Sequence, residues 1–209
     1  MNVAFLGYRG WVNKIAENLE IYAGCKFTIL ARADVVLYYG WSKMIPAKIY
    51  KNKLCLILHP SPLPKYRGGS PLQHQIMVGE TKSAVTIFRA TGKLDAGDIY
   101  FQEPFSLEGT LDEIFDRIIE IGTIGTIRVL NMIAFSKESR WDIVTKKQDE
   151  NKAIYFKRRK PEESELTLKD FKTKTAKELY DFIRALNDPY PNAFIKIKGK
   201  KLYLTGAHL

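Results

Sequence analysis

The 209-residue chain has little cysteine and little histidine, two and three residues respectively. Cys25 and Cys55 lie in apolar stretches and lack metal-ligand spacing, so we expect two free thiols and no metal site. No apolar run approaches the roughly 20 residues that a membrane-spanning helix needs. Met1 leads almost directly into the strand-like segment 3–6, with no leader between them. These absences favour a cytoplasmic protein that has no membrane partner.

Acidic residues are fewer than basic ones, 23 against 33, which gives a formal net charge of +10. This excess favours an anionic partner, such as a nucleotide diphosphate, the glutamate tail of a folate or RNA, without choosing among them. The densest basic run, Lys157-Arg158-Arg159-Lys160, precedes Pro161-Glu162-Glu163. That composition is more typical of a solvated linker than of a nucleic-acid patch.

The first 60 residues alternate strand-like and helix-like segments, as in an α/β protein with parallel strands. Strands are predicted over 3–7, 27–30, 35–39 and 54–59, and a helix-like segment over 43–51. A first helix is predicted over 11–21, with one apolar face formed by Trp11, Ile15, Leu19 and Tyr22. Residues 7–10 predict a turn; a phosphate site there has little support, because the third glycine of a dinucleotide-binding loop is missing.

A histidine and an aspartate are the residues with the clearest chemical potential. His59 ends the apolar run 54–58, so it should emerge at the carboxyl end of a strand, where open α/β sheets bind ligands. Asp95 lies in the glycine-containing segment 93–99. An imidazole beside a carboxylate can move a proton during attack on a carbonyl group. Equally, His59 can simply cap a strand while Asp95 occupies a turn.

The rest of the chain predicts further elements with clear signals. Ser70 and Pro71 predict the N-cap and first residue of a short helix over 71–78. Strands are expected over 83–90 and 98–107, and Thr110 begins a capping box for a long helix that reaches about residue 135. The core stripe of that helix is predicted to be Ile114, Ile118, Ile121 and Ile124. A linker or covering loop over 151–175, a helix over 175–186 and a hairpin over 193–204 complete the chain.

Four stretches carry a resemblance to a known family. They are Asp34-Val35-Val36-Leu37-Tyr38-Tyr39-Gly40-Trp41-Ser42-Lys43-Met44-Ile45-Pro46, His59-Pro60-Ser61-Pro62-Leu63-Pro64-Lys65-Tyr66-Arg67-Gly68, Leu94-Asp95-Ala96-Gly97-Asp98-Ile99 and Ile183-Arg184-Ala185-Leu186-Asn187-Asp188-Pro189-Tyr190-Pro191. Together and in this order they resemble the formyltransferases that use N10-formyltetrahydrofolate. The last stretch resembles the segment after the catalytic domain in methionyl-tRNA and sugar N-formyltransferases.

This resemblance implies an α/β fold, a shortened Rossmann-like formyltransferase fold with a mostly parallel sheet. The family has a longer stretch before the histidine motif, so one βα unit is expected to be missing. We expect a catalytic domain over 1–150 and an appendage over 151–209 that consists of a linker, a small helix and a β-hairpin. The chain ends five residues after that hairpin, which leaves no residues for the tRNA-gripping C-terminal domain of methionyl-tRNA formyltransferases.

The resemblance also implies roles for particular residues. His59 and Asp95 match two members of the family's catalytic Asn-His-Asp set, so His59 is expected to take or relay the amine proton while Asp95 orients it and compensates its charge. Ile57 stands where the asparagine that hydrogen-bonds the formyl oxygen should be. Gln73, His74 or Gln75 could supply the missing donor, the imidazolium of His59 could serve alone, or the protein could be a weak or inactive relative. Equally, the three side chains can merely cap or cover the helix.

The expected cosubstrate is N10-formyltetrahydrofolate, bound by main-chain groups of two segments. These segments are Ser42, Lys43, Met44 and Ile45, and Thr91, Gly92, Lys93 and Leu94. The favoured function is a sugar N-formyltransferase, with a nucleotide-linked amino sugar and folate as partners, no nucleic acid and a possible homodimer. The alternatives are a glycinamide ribonucleotide or methionyl-tRNA formyltransferase, or a non-catalytic binding relative.

Overall fold

A computed structural model describes residues 1–7, 10–136 and 145–209 of the chain. The turn predicted over 7–10 includes Tyr8 and Arg9, which lie outside the described residues. Within the described ranges the chain forms a five-stranded sheet, a three-stranded sheet and a two-stranded sheet.

The strands and helices have the following bounds. The strands are β1 (Val3–Gly7), β2 (Val35–Tyr39), β3 (Leu54–His59), β4 (Arg67–Gly68), β5 (Lys82–Arg89), β6 (Ile99–Ser106), β7 (Tyr155–Phe156), β8 (Glu165–Leu166), β9 (Ala193–Ile197) and β10 (Lys200–Leu204). The α-helices are α1 (Gly10–Ala23), α2 (Ala47–Tyr50), α3 (Pro71–Met77), α4 (Leu111–Phe135), α5 (Leu168–Thr173) and α6 (Ala176–Ala185).

The main sheet has the strand order β1-β2-β3-β5-β6. β1, β2 and β3 pair in parallel, β5 runs antiparallel to β3, and β6 runs antiparallel to β5. All strands of this sheet except β5 therefore point the same way. The predicted α/β fold with a mostly parallel sheet is confirmed. β2 is buried along its whole length, as expected for a strand covered on both faces.

Of the elements predicted near the N-terminus, the strand over 27–30 is wrong and the helix over 43–51 is too long. Instead of a strand over 27–30, Phe27 forms a single bridge to Val3, and a 3-10 turn follows at Leu30–Arg32. The chain must turn there because β2 begins only a few residues later. The helix expected over 43–51 is confined to α2, since Pro46 disfavours helical backbone at the residue before it.

α1 covers one face of the sheet and packs against α4. Trp11, Val12, Ile15 and Leu19 are buried there, as the helical period predicts. Tyr22 was expected on the same face, but it is 73% exposed. It lies in the last turn of the helix, beyond the part that contacts the sheet.

α4 begins with the predicted capping box, in which Thr110 accepts from the Glu113 amide and its own amide donates to the Glu113 carboxylate. Its first half buries Ile114 and Ile118 as predicted. The expectation for Ile124 is wrong, since this side chain is 43% exposed.

The predicted stripe fails because glycines set the contact between α4 and the sheet. Ile121 is only partly buried. A Cβ added at Gly122 would lie 2.8 Å from Leu58, and one added at Gly125 would lie 2.5 Å from Phe101. A side chain at either position would displace Leu58 or Phe101, so the helix backbone lies close to these side chains of the sheet. The buried stripe follows the glycines, and the isoleucines beside them are turned outward.

By length and composition α4 could also cross a membrane, and it is the one such helix within the described ranges. Half of its most apolar 18-residue window is buried inside the protein. Val129, Leu130 and Ile133 in that window belong to the main hydrophobic core. The apolar character of α4 is therefore used in packing against the sheet.

Both cysteines are free, as predicted. Cys55 is buried in β3, where desolvation raises the pKa of its thiol to about 12. Cys25 is only partly buried.

The C-terminal region contains more structure than a linker, a helix and a hairpin. The hairpin of β9 and β10 is confirmed, and β8 adds to it in parallel, so the three strands form their own sheet. Helix α6 is fixed to the first part of the chain through Arg184, whose Nη1 donates to the carbonyls of Leu107 and Gly109 at 2.7 and 3.0 Å. The buried Asp181 carboxylate accepts from Arg184 Nε at 2.7 Å.

Candidate active site

A cleft of about 730 Å³ opens at the carboxyl ends of β2 and β3. Trp41 follows β2 and His59 ends β3, so the cleft lies where an open α/β sheet is expected to bind ligands. Most of the residues predicted to bind the folate also line it: Ser42, Lys43, Met44, Ile45, Thr91, Lys93 and Leu94. Gly92 does not line the cleft; a Cβ at this position would face the Tyr50 hydroxyl at 3.0 Å.

His59 is buried in the cleft wall and is oriented by the main chain. Its Nε2 lies 2.9 Å from the carbonyl oxygen of Tyr66. Because a carbonyl can only accept, Nε2 carries the hydrogen in the neutral ring, and Nδ1 keeps its lone pair. Nδ1 is therefore the ring atom that can take up a proton.

Asp95 meets His59 without a direct hydrogen bond. Its Oδ2 lies 3.9 Å from His59 Nδ1, which is too long for a hydrogen bond. The same oxygen accepts from the Gly68 amide at 2.8 Å. The two groups lie close together, as predicted. However, the imidazole is oriented by the Tyr66 carbonyl and not, as predicted, by Asp95.

Three residues around this pair adopt left-handed backbone conformations that side chains usually avoid. The φ angles are 59° for Tyr66, 53° for Ser70 and 47° for Asp95. Such conformations cost about 1–3 kcal/mol each and cluster at functional sites. Ser70 also departs from its predicted role, because its side chain makes no cap to α3 and its Oγ accepts from the Arg159 amide at 3.1 Å.

Arg67 is fully buried and ties the Asp95 turn to a distant part of the chain. Its guanidinium donates to Glu150 at 2.7 and 3.1 Å and to Gln148 at 2.8 and 3.1 Å. Gln148 in turn donates to the carbonyls of Asp95 and Gly97 at 2.9 and 2.7 Å. The hydrogen bond from Arg67 lowers the pKa of Glu150 below its ordinary value.

Residues 145–160, called here the covering segment, lie across the loop that follows His59 and contains β4. β7 in this segment pairs in parallel with β4. A Cβ at Gly68 would lie 2.2 Å from the Phe156 carbonyl oxygen, and one at Gly69 would lie 2.4 Å from the Arg158 Cα. Gly68 and Gly69 are therefore needed where the covering segment passes. The Phe156 ring stacks on Tyr66 with their centroids 5.1 Å apart.

The covering segment gives the cleft its charge. The run Lys157-Arg158-Arg159-Lys160 is largely exposed, as predicted for a solvated linker, and all four residues line the cleft. Lys43 and Lys93 add two more cations, and Asp95 is the only acidic side chain among the described residues of the lining. Such a lining attracts anionic ligands.

Ile57 lies two residues before His59 on β3, and its side chain lines the cleft. Residues i and i+2 of a strand share a face, so the two side chains face the cleft together. Ile57 packs beside Leu63, Phe88 and Ile99 and offers no hydrogen-bond donor. The cleft therefore lacks a donor at the position where the resemblance places one.

The three proposed substitutes for that donor differ in their surroundings. Gln75 donates to the carbonyls of Pro60 and Pro71 and accepts from Ser83. The ring Nε2 of His74 lies 3.0 Å from the Lys157 carbonyl oxygen. Gln73 lines the cleft, and no partner is found for its carboxamide within the described residues.

The sequence predicted that His59 and Asp95 lie together, and all of 42–45 lines the cleft; the groups that hold His59 and Asp95 were not predicted. The Tyr66 carbonyl, Gln148 and Glu150 carried no signal of their own in the sequence. Arg67 was part of the quoted motif, and an arginine between tyrosine and glycine was the only hint of a buried cation that needs acidic partners.

Two family profiles match separate parts of the chain. The profile described as Formyl transferase matches residues 26–130, and the profile described as Methionyl-tRNA formyltransferase, C-terminal domain, matches residues 161–209. The expectation that no residues are left for such a C-terminal domain is therefore wrong.

The chain is similar to curated proteins and to solved structures along most of its length. The methionyl-tRNA formyltransferase of Moorella thermoacetica is 38% identical over 184 residues, which make up 86% of this chain and 56% of that protein. The chain thus spans about half the length of the curated relatives it matches. The structure of methionyl-tRNA formyltransferase from Clostridium thermocellum superposes with a TM-score of 0.81 at 29% identity, covering 100% of this chain and 93% of that chain.

HypX from Aquifex aeolicus, solved in complex with tetrahydrofolic acid, superposes with a TM-score of 0.81 at 22% identity. The superposition covers 99% of this chain and 37% of HypX, and it shows the fold alone. Sugar N-formyltransferases are also structural neighbours, at 20% identity or less.

These comparisons correct the acceptor predicted from the sequence. The favoured sugar N-formyltransferase function and its nucleotide-linked amino sugar are wrong, because the sequence relatives are named methionyl-tRNA formyltransferases. The expected absence of a nucleic-acid partner conflicts with the same names. The prediction failed because it took the end of the chain as the loss of a domain that residues 161–209 in fact match.

Proposed function

Because the chain belongs to the formyl transferase family, we propose that it transfers the formyl group of N10-formyltetrahydrofolate to the amino group of methionyl-tRNA. The observation that carries this proposal is the meeting of His59 Nδ1 and Asp95 Oδ2, 3.9 Å apart, in the wall of the cleft. A ring nitrogen with a lone pair and a nearby carboxylate are the groups that an amine needs in order to lose a proton as it attacks a carbonyl carbon.

The acceptor is proposed from two observations. The relatives that share 38% and 34% identity with this chain are named methionyl-tRNA formyltransferases. The cleft is lined by six cationic side chains and one acidic one within the part that the structure describes. Phosphates of a tRNA acceptor end are anionic and would be attracted to the covering segment, while the aminoacyl group enters beside His59.

The cosubstrate fits the composition of the cleft. Main-chain groups of 42–45 and of Thr91, Lys93 and Leu94 are proposed to bind the pterin ring, whose donors and acceptors lie in one plane. The exposed side chains of Met44 and Leu94 offer apolar surface at the cleft. Lys43 and Lys93 lie in the same two segments and suit the carboxylates of the folate tail.

His59 and Asp95 are proposed to act together on the amine. The methionine amine attacks the formyl carbon, and His59 Nδ1 takes the proton that the nitrogen gives up. Asp95 stabilises the imidazolium by charge at 3.9 Å, while the Tyr66 carbonyl keeps Nε2–H in place. The C–N10 bond then breaks, and N10 receives a proton, so that formyl-methionyl-tRNA and tetrahydrofolate are released.

We propose the division of the chain into a catalytic domain over 1–150 and a C-terminal part over 151–209. The first part holds the sheet, His59 and Asp95. The second part contributes the basic half of the covering segment and is fixed to the first through Arg184. Since tRNA and folate are both cytoplasmic, we also propose that location.

An acceptor panel tests the proposal. The full chain is incubated with N10-formyltetrahydrofolate and, separately, methionyl-tRNA, free methionine or glycinamide ribonucleotide, and release of tetrahydrofolate is followed. We expect release with methionyl-tRNA and a loss of about 10²- to 10⁴-fold in the His59→Ala variant. His208→Ala is the matched control, because His208 is exposed near the C-terminus. Binding of the donor without release would favour a non-catalytic relative, and a His59→Ala rate within tenfold of the parent would remove His59 from the mechanism.

A further inference from the structure

The proposed transfer calls for a hydrogen-bond donor to the formyl oxygen, and the side chain at position 57 does not supply one. Attack on the formyl carbon moves negative charge onto its oxygen, and a fixed hydrogen-bond donor at that oxygen lowers the barrier. Ile57 lines the cleft on the same face of β3 as His59 but carries only hydrocarbon. If the cleft performs the proposed transfer, another group must supply this hydrogen bond.

Two of the three polar side chains on the adjacent helix α3 are already engaged. Gln75 uses its amide nitrogen on the carbonyls of Pro60 and Pro71, at 3.0 and 2.9 Å, and its oxygen accepts from Ser83 at 2.7 Å. His74 packs on Phe156 with their centroids 4.5 Å apart, and it is not part of the cleft lining. Neither side chain is available to a ligand.

Gln73 differs from both of them. It is 2% exposed, and both polar atoms of its carboxamide are buried without a hydrogen-bond partner in the part of the chain that the structure describes. Buried carboxamides are nearly always paired, because an unpaired one destabilises the fold. Gln73 also lines the cleft together with Ile57, His59 and Asp95. An unpaired amide in the wall of a ligand cleft points to a ligand as its partner.

We propose that Gln73 is the catalytic residue that donates from Nε2 to the formyl oxygen, in place of an asparagine at position 57. This proposal rests on the proposed formyl transfer. When the amine attacks, the carbonyl π electrons move to the oxygen, where Nε2–H of Gln73 stabilises the charge. The amine proton passes to His59 Nδ1. The electrons then return, the C–N10 bond breaks, and N10 takes a proton, so no oxidant or further reactant is required.

The position of α3 in the fold supports this role. The helix follows directly on the loop whose Tyr66 carbonyl orients His59 and whose Gly68 amide holds Asp95. The same loop therefore positions the base, the carboxylate and the proposed donor. Ser70, immediately before the helix, has a left-handed backbone and bonds to the Arg159 amide, which fixes the start of α3 against the covering segment.

The test replaces the donor by an apolar side chain of similar length. In Gln73→Met we expect kcat to fall about 10²- to 10³-fold, with little change in the KM for either substrate, because the hydrogen bond forms mainly in the transition state. Adding Ile57→Asn to Gln73→Met restores a donor on the cleft face of β3 and is expected to recover at least tenfold of the lost rate.

Thermal unfolding separates this role from a structural one. Because no partner for the Gln73 carboxamide is found among the described residues, Gln73→Met is expected to unfold at the same temperature as the parent or higher. Gln75→Met is the matched control on the same helix, and it is expected to unfold at a lower temperature, because it removes three hydrogen bonds.

The outcomes distinguish this proposal from the proposed function. A Gln73→Met rate within threefold of the parent, beside an inactive His59→Ala, would overturn the role of Gln73 and leave formyl transfer in place. A lower unfolding temperature for Gln73→Met with no rescue by Ile57→Asn would make Gln73 a structural residue. If the parent itself releases no tetrahydrofolate with methionyl-tRNA, the proposed function fails first.

Discussion

The two walls of the cleft are held in different ways. The wall formed by His59, Gly68 and Asp95 is called here the motif wall. It is held by the His59–Tyr66 and Gly68–Asp95 hydrogen bonds, which join residues 7 and 27 positions apart. The covering segment is held by bonds from Arg67 to residues 81 to 88 positions away. The motif wall carries the proposed proton transfer, and the covering segment carries most of the positive charge. The two walls are joined where Gln148 of the covering segment accepts from Arg67 and donates to the carbonyls of Asp95 and Gly97.

The largest effect is expected on the motif wall, from Asp95→Asn. The asparagine oxygen can still accept from the Gly68 amide, and asparagine tolerates the left-handed backbone at this position. The charge that stabilises the imidazolium is lost, so kcat should fall about 10²- to 10³-fold while the unfolding temperature stays within a few degrees. Steady-state kinetics and calorimetry measure both, and Asp98→Asn is the control. An unchanged kcat would separate Asp95 from the chemistry.

The next largest effect is expected from Arg67→Met, which removes a contact that helps to join the motif wall and the covering segment. Removing the guanidinium breaks its bonds to Gln148 and Glu150 and leaves Gln148 free to release the Asp95 turn. We expect a loss of about 1–3 kcal/mol in the free energy of unfolding, and faster hydrogen exchange in residues 145–156. Denaturant titration and exchange mass spectrometry provide the measurements.

Arg32→Met is the control for this experiment, because Arg32 is exposed. Parent-like exchange in residues 145–156 of Arg67→Met would show that the covering segment does not depend on the buried arginine.

A smaller effect is expected on the covering segment alone, from Lys157→Gln combined with Arg158→Gln. Both residues are exposed and line the cleft. The KM for methionyl-tRNA should rise by about tenfold and depend less on salt concentration, while kcat at saturation stays near that of the parent. The double variant Lys14→Gln with Lys26→Gln removes the same charge from exposed positions outside the cleft lining. Equal effects of the two double variants would mean that overall charge, not the covering segment, attracts the acceptor.

The smallest effect concerns the free energy of unfolding, which should depend on pH through the contact between Glu150 and Arg67. Its pKa is lowered from the ordinary 4.5 by the hydrogen bond from Arg67. A group with a lowered pKa in the folded state stabilises the protein above its ordinary pKa, and this contribution is lost as the pH falls through the lowered value. The difference in unfolding free energy between the parent and Glu150→Gln should therefore shrink as the pH falls below the ordinary pKa of 4.5. A difference that does not change with pH would show that this carboxylate is not stabilised by Arg67.

The same contrast between the walls explains what the sequence could predict. Features that depend on short stretches of chain with strong local preferences could be predicted. They include strand ends, the capping box at Thr110 and the positions of His59 and Asp95. Tyr66 holds His59 through its main-chain carbonyl. Because every residue has such a carbonyl, this contact could not be predicted from residue type.

A covering loop was among the predictions for 151–175, but the contacts of the covering segment with Arg67 and the outward side of α4 were missed because they depend on residues far apart in the chain. Gln148 and Glu150 become partners of Arg67 only when the chain returns after more than 80 residues. The helical period of α4 predicted a stripe, but the close approach at Gly122 and Gly125 decided which of its sides faces the sheet. Neither contact can be inferred from a window of local sequence.

A double-mutant cycle on kcat/KM with methionyl-tRNA, comparing the parent, His59→Ala, Asp95→Asn and the double variant, is the most direct test of the claim that His59 and Asp95 act as one unit. We expect the double variant to be no more than about threefold slower than His59→Ala, because Asp95 works through the proton that His59 holds. Losses that multiply would contradict the account, since they would show that each group contributes independently of the other.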